Sequence, residues 1–377
     1  MTNSAFLIAQ TNSEPKISPK TTLRVGVIGI GWAGQQHLLA YLDAPDVEVI
    51  ALAAKESELL ATLGAQHDID NLFENWEELL ALPGLDAVSV AVPTFLHAPI
   101  AIAALQRGIH VLTEKPIARN AEEGQRMVDA ARSANRVLDV AFNHRRRGDI
   151  QALKQVIERG DLGRPYFARA AWQRRRGIPK LGSWFTSEKM AGGGPLADLG
   201  VHVLDYALHL LGEPKVIAVS AVTYAEFGPR NLGGTNRETA DQSISAFEVE
   251  DFAAAFLRLS DGSTLALEAS WAGFRAVEDS IEFSVLGTEG GADLSIAGAT
   301  NTPAGTLSIY TDRAGEPADY SIEADAGRGH IAVVEDFLAS VRAPEDWPST
   351  DGSLGFGRAL IIDACYQSAL LKREIVL

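Results

Sequence analysis

Leu23–Gly34 reads LRVGVIGIGWAG. A short, β-branched apolar run meets glycines at Gly29, Gly31 and Gly34. That order predicts a buried strand, a tight turn and a helix opening at Ala33. The spacing is G-x-G-x-x-G, a motif whose meaning comes from such a strand-to-helix context. Gly29 permits the turn, Gly31 lets a ligand approach the backbone, and Gly34 lets helix and strand pack closely. The helix N-terminus offers free N–H groups and positive partial charge to phosphates. The stretch therefore predicts a dinucleotide site built on Gly29, Ile30, Gly31, Trp32 and Ala33.

Outward from this turn the same rhythm continues. Strands are predicted over 47–53, 86–92, 109–113 and 137–142. Helices are predicted over 33–43, 56–66, 97–107 and 121–135. Strand and helix alternate with short connections, which is the pattern of a doubly wound parallel sheet. After residue 150 the pattern changes. A helix over 150–159 and a strand over 165–173 lead through glycines to a helix over 198–211. Strands then dominate, over 216–224, 243–259, 263–271, 280–286 and 306–310. Helices over 331–342 and 354–371 close the chain. The fold class is thus α/β, a Rossmann domain followed by an α+β domain with a large, mostly antiparallel open sheet. The expected division is a flexible tail over 1–20, a dinucleotide-binding domain over 21–146 and a second domain over 147–377. The last helix is expected to pack back on the first domain.

Composition narrows the functional classes. The 377 residues are 46% hydrophobic and 22% charged, with a formal net charge of −16. A field of that sign repels nucleic acid and anionic membrane, so neither is expected as a partner. No apolar run approaches the ~20 residues of a membrane span. The patch Ala5–Ala9 lacks a preceding basic region, so no signal peptide is expected. The single cysteine, Cys365, fits a reducing cytoplasm.

Cofactor preference is read at the end of the second strand. An acid there commonly holds the ribose 2′-hydroxyl of NAD. Here the residues are Ala53-Ala54-Lys55-Glu56. Ala54 stands where the acid is expected, and Lys55 can pair with a 2′-phosphate. NADP is therefore favoured over NAD. The competing reading leaves Lys55 solvated and binds NAD through Glu56 or water.

Two further stretches carry chemistry. Thr113-Glu114-Lys115-Pro116 ends a core strand, where ligands bind in such sheets. Lys115 can reach both a cofactor ribose and a substrate oxygen, and Pro116 is a candidate for a cis bond. Gly192-Gly193-Gly194-Pro195-Leu196-Ala197-Asp198-Leu199-Gly200-Val201-His202 is the second. Asp198 and His202 are four apart and share a helical face, which Asp205 and His209 extend. Oxidising a secondary alcohol requires loss of its hydroxyl proton. His202 can take that proton, and Asp198 can orient the imidazole or bind a second hydroxyl. As a metal set this stripe fails, because residues 198 to 209 span ~16 Å of helix, and no metal is expected. Arg145–Arg147 and Arg174–Arg176 read first as ion pairs with the protein's own carboxylates. Arg174 is also a candidate substrate contact. Trp184 offers a wall for a sugar face.

Taken together, Gly29–Gly34, Glu114-Lys115-Pro116 and Gly192–Gly194 with Asp198–His202 resemble the glucose–fructose oxidoreductase / inositol dehydrogenase (Gfo/Idh/MocA) family. Order and separation match over nearly all of the chain from residue 23. The resemblance implies that Lys115, Asp198 and His202 form the catalytic set, with His202 as acid/base. It implies that Val92, Pro93, Thr94 and His97 lie near the pyrophosphate and nicotinamide ribose, Glu114 by the nicotinamide, and Asn143 at the cofactor–substrate junction. The substrate-binding set is then Lys115, Arg174, Trp184, Asp198 and His202. Ala54-Lys55 departs from NAD-binding relatives. The expected activity is NAD(P)-dependent hydride transfer at a secondary hydroxyl or ketone of a sugar, sugar derivative or inositol, by a homodimer or homotetramer joined through the second sheet. Two alternatives share the residues: redox-assisted glycoside cleavage with retained NAD, and a non-catalytic dinucleotide or sugar sensor.

Overall fold

The computed structural model describes residues 22–234, 247–297 and 304–377. The expected tail over 1–20 and part of the strand expected over 243–259 lie outside them. The first half alternates β1 (Leu23–Ile28), α1 (Trp32–Asp43), β2 (Val47–Ala53), α2 (Ser57–Gln66), β3 (Asn71–Phe73), α3 (Trp76–Leu80), β4 (Ala87–Val90), α4 (His97–Leu105), β5 (His110–Thr113), α5 (Ala121–Ala134) and β6 (Leu138–Val140). The strands pair in parallel in the order β3-β2-β1-β4-β5-β6. Strand order reverses between β1 and β4, so a crevice opens beyond their C-terminal ends. Buried Val, Ile, Leu and Ala of these strands fill both faces, as a parallel sheet covered by helices requires.

The second half contains α6 (Gly148–Glu158), β7 (Pro165–Arg174), α7 (Glu188–Ala191), α8 (Val201–Leu210), β8 (Val216–Tyr224), β9 (Phe252–Leu259), β10 (Thr264–Ser270), β11 (Asp279–Gly287), β12 (Gly290–Ala297), β13 (Thr306–Arg313), β14 (Glu316–Pro317), β15 (Tyr320–Ile322), α9 (Gly329–Arg342), α10 (Ser353–Leu371) and β16 (Ile375–Val376). The sheet runs β14-β13-β12-β11-β7-β10-β9-β8-β16, with β15 on β13. Among the described residues of this sheet, only the strands β7 and β10 pair in parallel. One face is apolar, with Ala170, Leu257, Leu265, Phe283 and Leu294 in one core with Leu153 of α6 and Leu204 of α8. The alternate residues face outward.

Both closing helices pack on the first half, where only the last was expected to. α9 buries Val334, Phe337 and Leu338 beside Leu38 and Tyr41 of α1. α10 lies between α5 and β8, and its Asp363 accepts the Ala121 N–H that opens α5 (2.7 Å). The strand expected over 243–259 begins only at Phe252. Just before it, Glu250 and Asp251 leave the ladder to accept backbone N–H groups of Gly194 and Leu196, and of Phe227 and Gly228.

Candidate active site

A cleft of about 770 Å³ opens at the switch point and runs from the glycine turn to α8. Its floor depends on glycine. Gly29 has φ of 89°, and a Cβ there would lie 2.2 Å from the Ala91 carbonyl oxygen. At Gly34 a Cβ would lie 1.9 Å from the Gly29 oxygen. Gly31 is different, because a Cβ there would meet nothing within 4 Å and would stand in the cleft. Helix α1 starts beside it with no side chain capping its first N–H groups. Open backbone, free N–H groups and a helix N-terminus are what a pyrophosphate needs, so the turn fits a dinucleotide.

Ile30, Trp32 and Ala33 line the same cleft. At the end of β2, Ala54 and Lys55 line it with Glu56, Glu74 and Trp76. Lys55 Nζ donates to Asn75 Oδ1 (2.7 Å) and stays exposed. Val92, Pro93, Thr94, Glu114 and Asn143 also line the cleft. His97 does not. Its buried ring lies between the carbonyls of Val92 (2.8 Å) and Pro116 (2.9 Å), behind the cleft, where its one N–H serves either of them.

Lys115 and Asp198 meet across the two halves. Lys115 Nζ donates to Asp198 Oδ1 (2.9 Å) and to the Asp198 carbonyl (3.1 Å). The Lys115–Pro116 peptide is cis. Asp198 Oδ2 accepts the Trp271 indole N–H (3.0 Å). Burial pushes the Asp198 carboxyl up, but the charges of Lys115 and Arg174 and the two donors outweigh it and hold it below the usual range. Asp198 is therefore an ion at neutral pH, and both its oxygens are engaged. It makes no hydrogen bond to His202, which corrects the expected orienting role.

His202 lines the cleft and is nearly fully buried. Its ring packs against His144 (centroids 4.6 Å) and Trp172 (5.6 Å). Its Nδ1 is buried without a hydrogen-bond partner. Burial first, then the Lys115 charge, hold this imidazole well below the usual histidine value. It is neutral at pH 7, and its Nδ1 has no competing partner.

The expected polar stripe does not continue. Leu196–Gly200 forms a π turn before α8, and the wider turn rotates the faces of the helix beyond it. Asp205 instead pairs with Arg145 and Arg358. Most other arginines of the two clusters behave as ion-pair partners too. Arg146 meets Asp336, Arg147 meets Asp149, and Arg175 meets Glu278. Arg174 pairs with Asp279 (3.1 Å) and lies over Trp172, outside the cleft lining. Trp184 does line the cleft and stacks on Phe185 (3.8 Å, 25°).

Residues 23–142 match the oxidoreductase family with an NAD-binding Rossmann fold named GFO/IDH/MocA, and residues 150–293 match its C-terminal domain. The chain belongs to the Gfo/Idh/MocA family. It is 31% identical to D-glucoside 3-dehydrogenase of Escherichia coli, over 92% of this chain and 95% of that protein. It is 30% identical to levoglucosan dehydrogenase of Pseudarthrobacter phenanthrenivorans, over 92% and 96%. A solved levoglucosan dehydrogenase in complex with NADH and L-sorbose superimposes with a TM-score of 0.80 at 27% identity, covering 94% of this chain and 99% of that one. As a Gfo/Idh/MocA protein this chain is an NAD(P)-dependent dehydrogenase acting on CH–OH groups. No helix among the described residues is long and apolar enough to cross a membrane.

His144, Trp172, Trp271 and His330 were not read from the sequence as part of this Gfo/Idh/MocA site. His144 follows Asn143 directly, and a titratable residue at the end of the last Rossmann strand was the available signal. Nothing in the local sequence marks His330, which reaches the cleft from α9.

Proposed function

We propose that this dehydrogenase oxidises a secondary hydroxyl of a sugar, sugar derivative or inositol reversibly, with Lys115, Asp198 and His202 as its working groups and NADP preferred over NAD. The observation that carries the reading is the 2.9 Å Lys115–Asp198 pair beside a neutral His202 in one cleft with the glycine turn. Gly29, Ile30, Gly31, Trp32 and Ala33 would hold the pyrophosphate. Val92, Pro93, Thr94, Glu114 and Asn143 would line the nicotinamide half. When bound, the nicotinamide supplies the hydride acceptor. Lys115 Nζ has a donor free for the substrate oxygen, since ammonium carries three, and its charge favours the alkoxide. His202 takes the hydroxyl proton. Asp198 holds Lys115 in place and balances its charge. The Trp184 face is a platform for a sugar ring. Arg174, already engaged by Asp279, has no part in this proposal.

NADP preference rests on Ala54 and Lys55. Ala54 takes the place of an acid directly after β2, and Lys55 lines that end of the cleft beside Glu56 and Glu74. Lys55→Ala is expected to weaken NADP by about tenfold, the worth of one charge-assisted hydrogen bond, and to leave NAD unchanged. Calorimetric titration with each dinucleotide, followed by turnover on a panel of sugars and inositols, tests both parts. Equal affinity of the unaltered protein for the two dinucleotides contradicts the preference. Absence of redox chemistry on every polyol contradicts the substrate class.

The outward face of the second sheet carries Val222, Tyr224, Phe256, Leu286 and Tyr310, all exposed. The strand registers put them on one side. These apolar side chains flank an ion cluster of Arg169, Glu268 and Glu282, and the mixed face is read as an interaction surface, here for a homodimer or homotetramer. Phe256→Lys should lower the mass measured by light scattering. An unaltered protein that sediments as a monomer at micromolar concentration removes the proposal.

A further inference from the structure

Three buried side chains converge beside the cleft from α1, the end of β5 and α9. Glu114 Oε1 lies 3.3 Å from His37 Nε2 and 3.4 Å from His330 Nε2. Glu114 Oε2 accepts the Lys115 N–H (3.2 Å). The groups behind the imidazoles are compatible with one placement of both protons. His37 Nδ1 is 3.0 Å from Ser89 Oγ, and the Tyr41 hydroxyl is 2.9 Å from the same oxygen. Tyr41 is fully buried, and Ser89 has one proton to give. With Tyr41 donating to Ser89 and Ser89 donating to His37 Nδ1, the His37 proton sits on Nε2, facing Glu114. On the other side, Asn143 Nδ2 is 3.4 Å from His330 Nδ1. Donation there likewise puts the His330 proton on Nε2. Both imidazoles are then neutral donors toward one carboxylate.

Glu114 is consequently the one formal charge of this cluster. Burial raises its carboxyl, but the two imidazoles beside Oε1 hold it well below the usual range. The nearest cation, Lys115, is already matched by Asp198 at 2.9 Å. Arg174 is matched by Asp279. Glu114, His330 and Asn143 all line the cleft, and Trp32 of the glycine turn stands edge-on to the His330 ring (5.1 Å).

We propose that Glu114, held by His37 and His330, is an unneutralised carboxylate against the nicotinamide ring, so that the site binds the oxidised, positively charged dinucleotide more tightly than the reduced, neutral ring. His330 acts as a positioning residue, through Glu114. The inference rests on the reading that a nicotinamide occupies this half of the cleft. In a partly dry site a charge a few ångströms from a cationic ring outweighs solvent screening, and a preference of about tenfold is expected. For a two-electron couple, tenfold corresponds to a midpoint lower by about 30 mV, which makes the bound reduced form the stronger hydride donor.

Fluorescence titrations of the whole protein with oxidised and reduced dinucleotide, in both the phosphorylated and unphosphorylated forms, read this directly. Glu114→Gln is expected to remove the preference, shifting the ratio of the two dissociation constants by about tenfold. His330→Phe keeps a ring against Trp32 but loses the N–H toward Glu114. It should shift the ratio in the same direction by a smaller factor, so the proposal stays testable should one variant fold poorly. A potential measured on the bound couple should rise in step. If both forms bind and the Glu114→Gln ratio equals that of the unaltered protein, this inference falls alone. If neither form binds the unaltered protein, the dinucleotide reading falls and takes this one with it. The ligand atoms of the trio lie within 4.8 Å of one another. Retention of one equivalent of zinc through chelator treatment, lost in both variants, would make it a metal site and overturn the charge assignment.

Discussion

Lys115→Met should cut the turnover number for sugar oxidation by about 10³-fold, the loss seen when one pre-aimed donor to a developing oxyanion is removed. Dinucleotide affinity should change only a few-fold, because the glycine turn and its helix N-terminus are untouched. The variant exchanges an ammonium for a thioether of similar length, so packing is largely kept. Its cost falls on Asp198, left buried with the Trp271 donor and the more distant Arg174 charge. A thermal melt must therefore accompany the rates. His202→Asn should cost about 10² to 10⁴ in the same step, as expected for a lost general base. The pH profile separates the two roles. A free imidazole would lose its base form below about pH 6.5. His202 is held well below that by burial and by the Lys115 charge. The base form, which oxidation requires, therefore persists as pH falls, and the rate should stay level from pH 8 to 6. An acid limb centred near 6.5, or full turnover in either variant, would refute the assignment of roles.

How much the sequence disclosed depends on the range of the forces involved. Strand β1 and the glycines after it are local. Their period and backbone freedom reveal a strand, a turn and a helix start within twelve letters, and the alternation beyond them places the switch point. Lys115 and Asp198 were legible for a similar reason, since each stands at a marked place, a strand end before proline and a helix start after three glycines. The misreadings needed information from elsewhere in the chain. Nothing near His97 says that its two nitrogens meet backbone carbonyls instead of a cofactor. Arg174 could serve a carboxylate of a substrate or of the protein, and only the pairing of β11 with β7 brings Asp279 beside it. Strand β3 was missed because three residues are too short for a period. Strand β12 opens on Gly290-Gly291, which hides the inward alternation of Ala292, Leu294 and Ile296. The π turn at Leu196–Gly200 was invisible to spacing rules that assume 3.6 residues per turn.

Asp205→Asn should destabilise the protein by ~3–5 kcal/mol, the cost of leaving buried cations without their partner. Asp205 is 1% exposed. Its carboxylate takes two donors from Arg145 (2.5 and 2.6 Å) and one from Arg358 (3.1 Å). Glu213 closes the square, accepting from Arg145 (2.9 Å) and Arg358 (2.5 Å). Two cations and two anions thus join the exit of the Rossmann half, α8, the turn after it and α10. Asparagine keeps the shape and one acceptor but removes the charge, and the exposed Glu213 alone then faces two largely buried guanidinium groups. Denaturant midpoint and melting temperature should both fall, the latter by several degrees. Below the transition the rate on sugar should be unchanged, because Asp205 does not line the cleft. A loss under ~0.5 kcal/mol would mean that the square contributes little beyond what water supplies. The double variant Asp205→Asn, Arg145→Met decides the mechanism. If the penalty arises from a stranded charge, removing one guanidinium must recover part of it, and a double variant that simply adds the two single losses would assign the effect to packing instead.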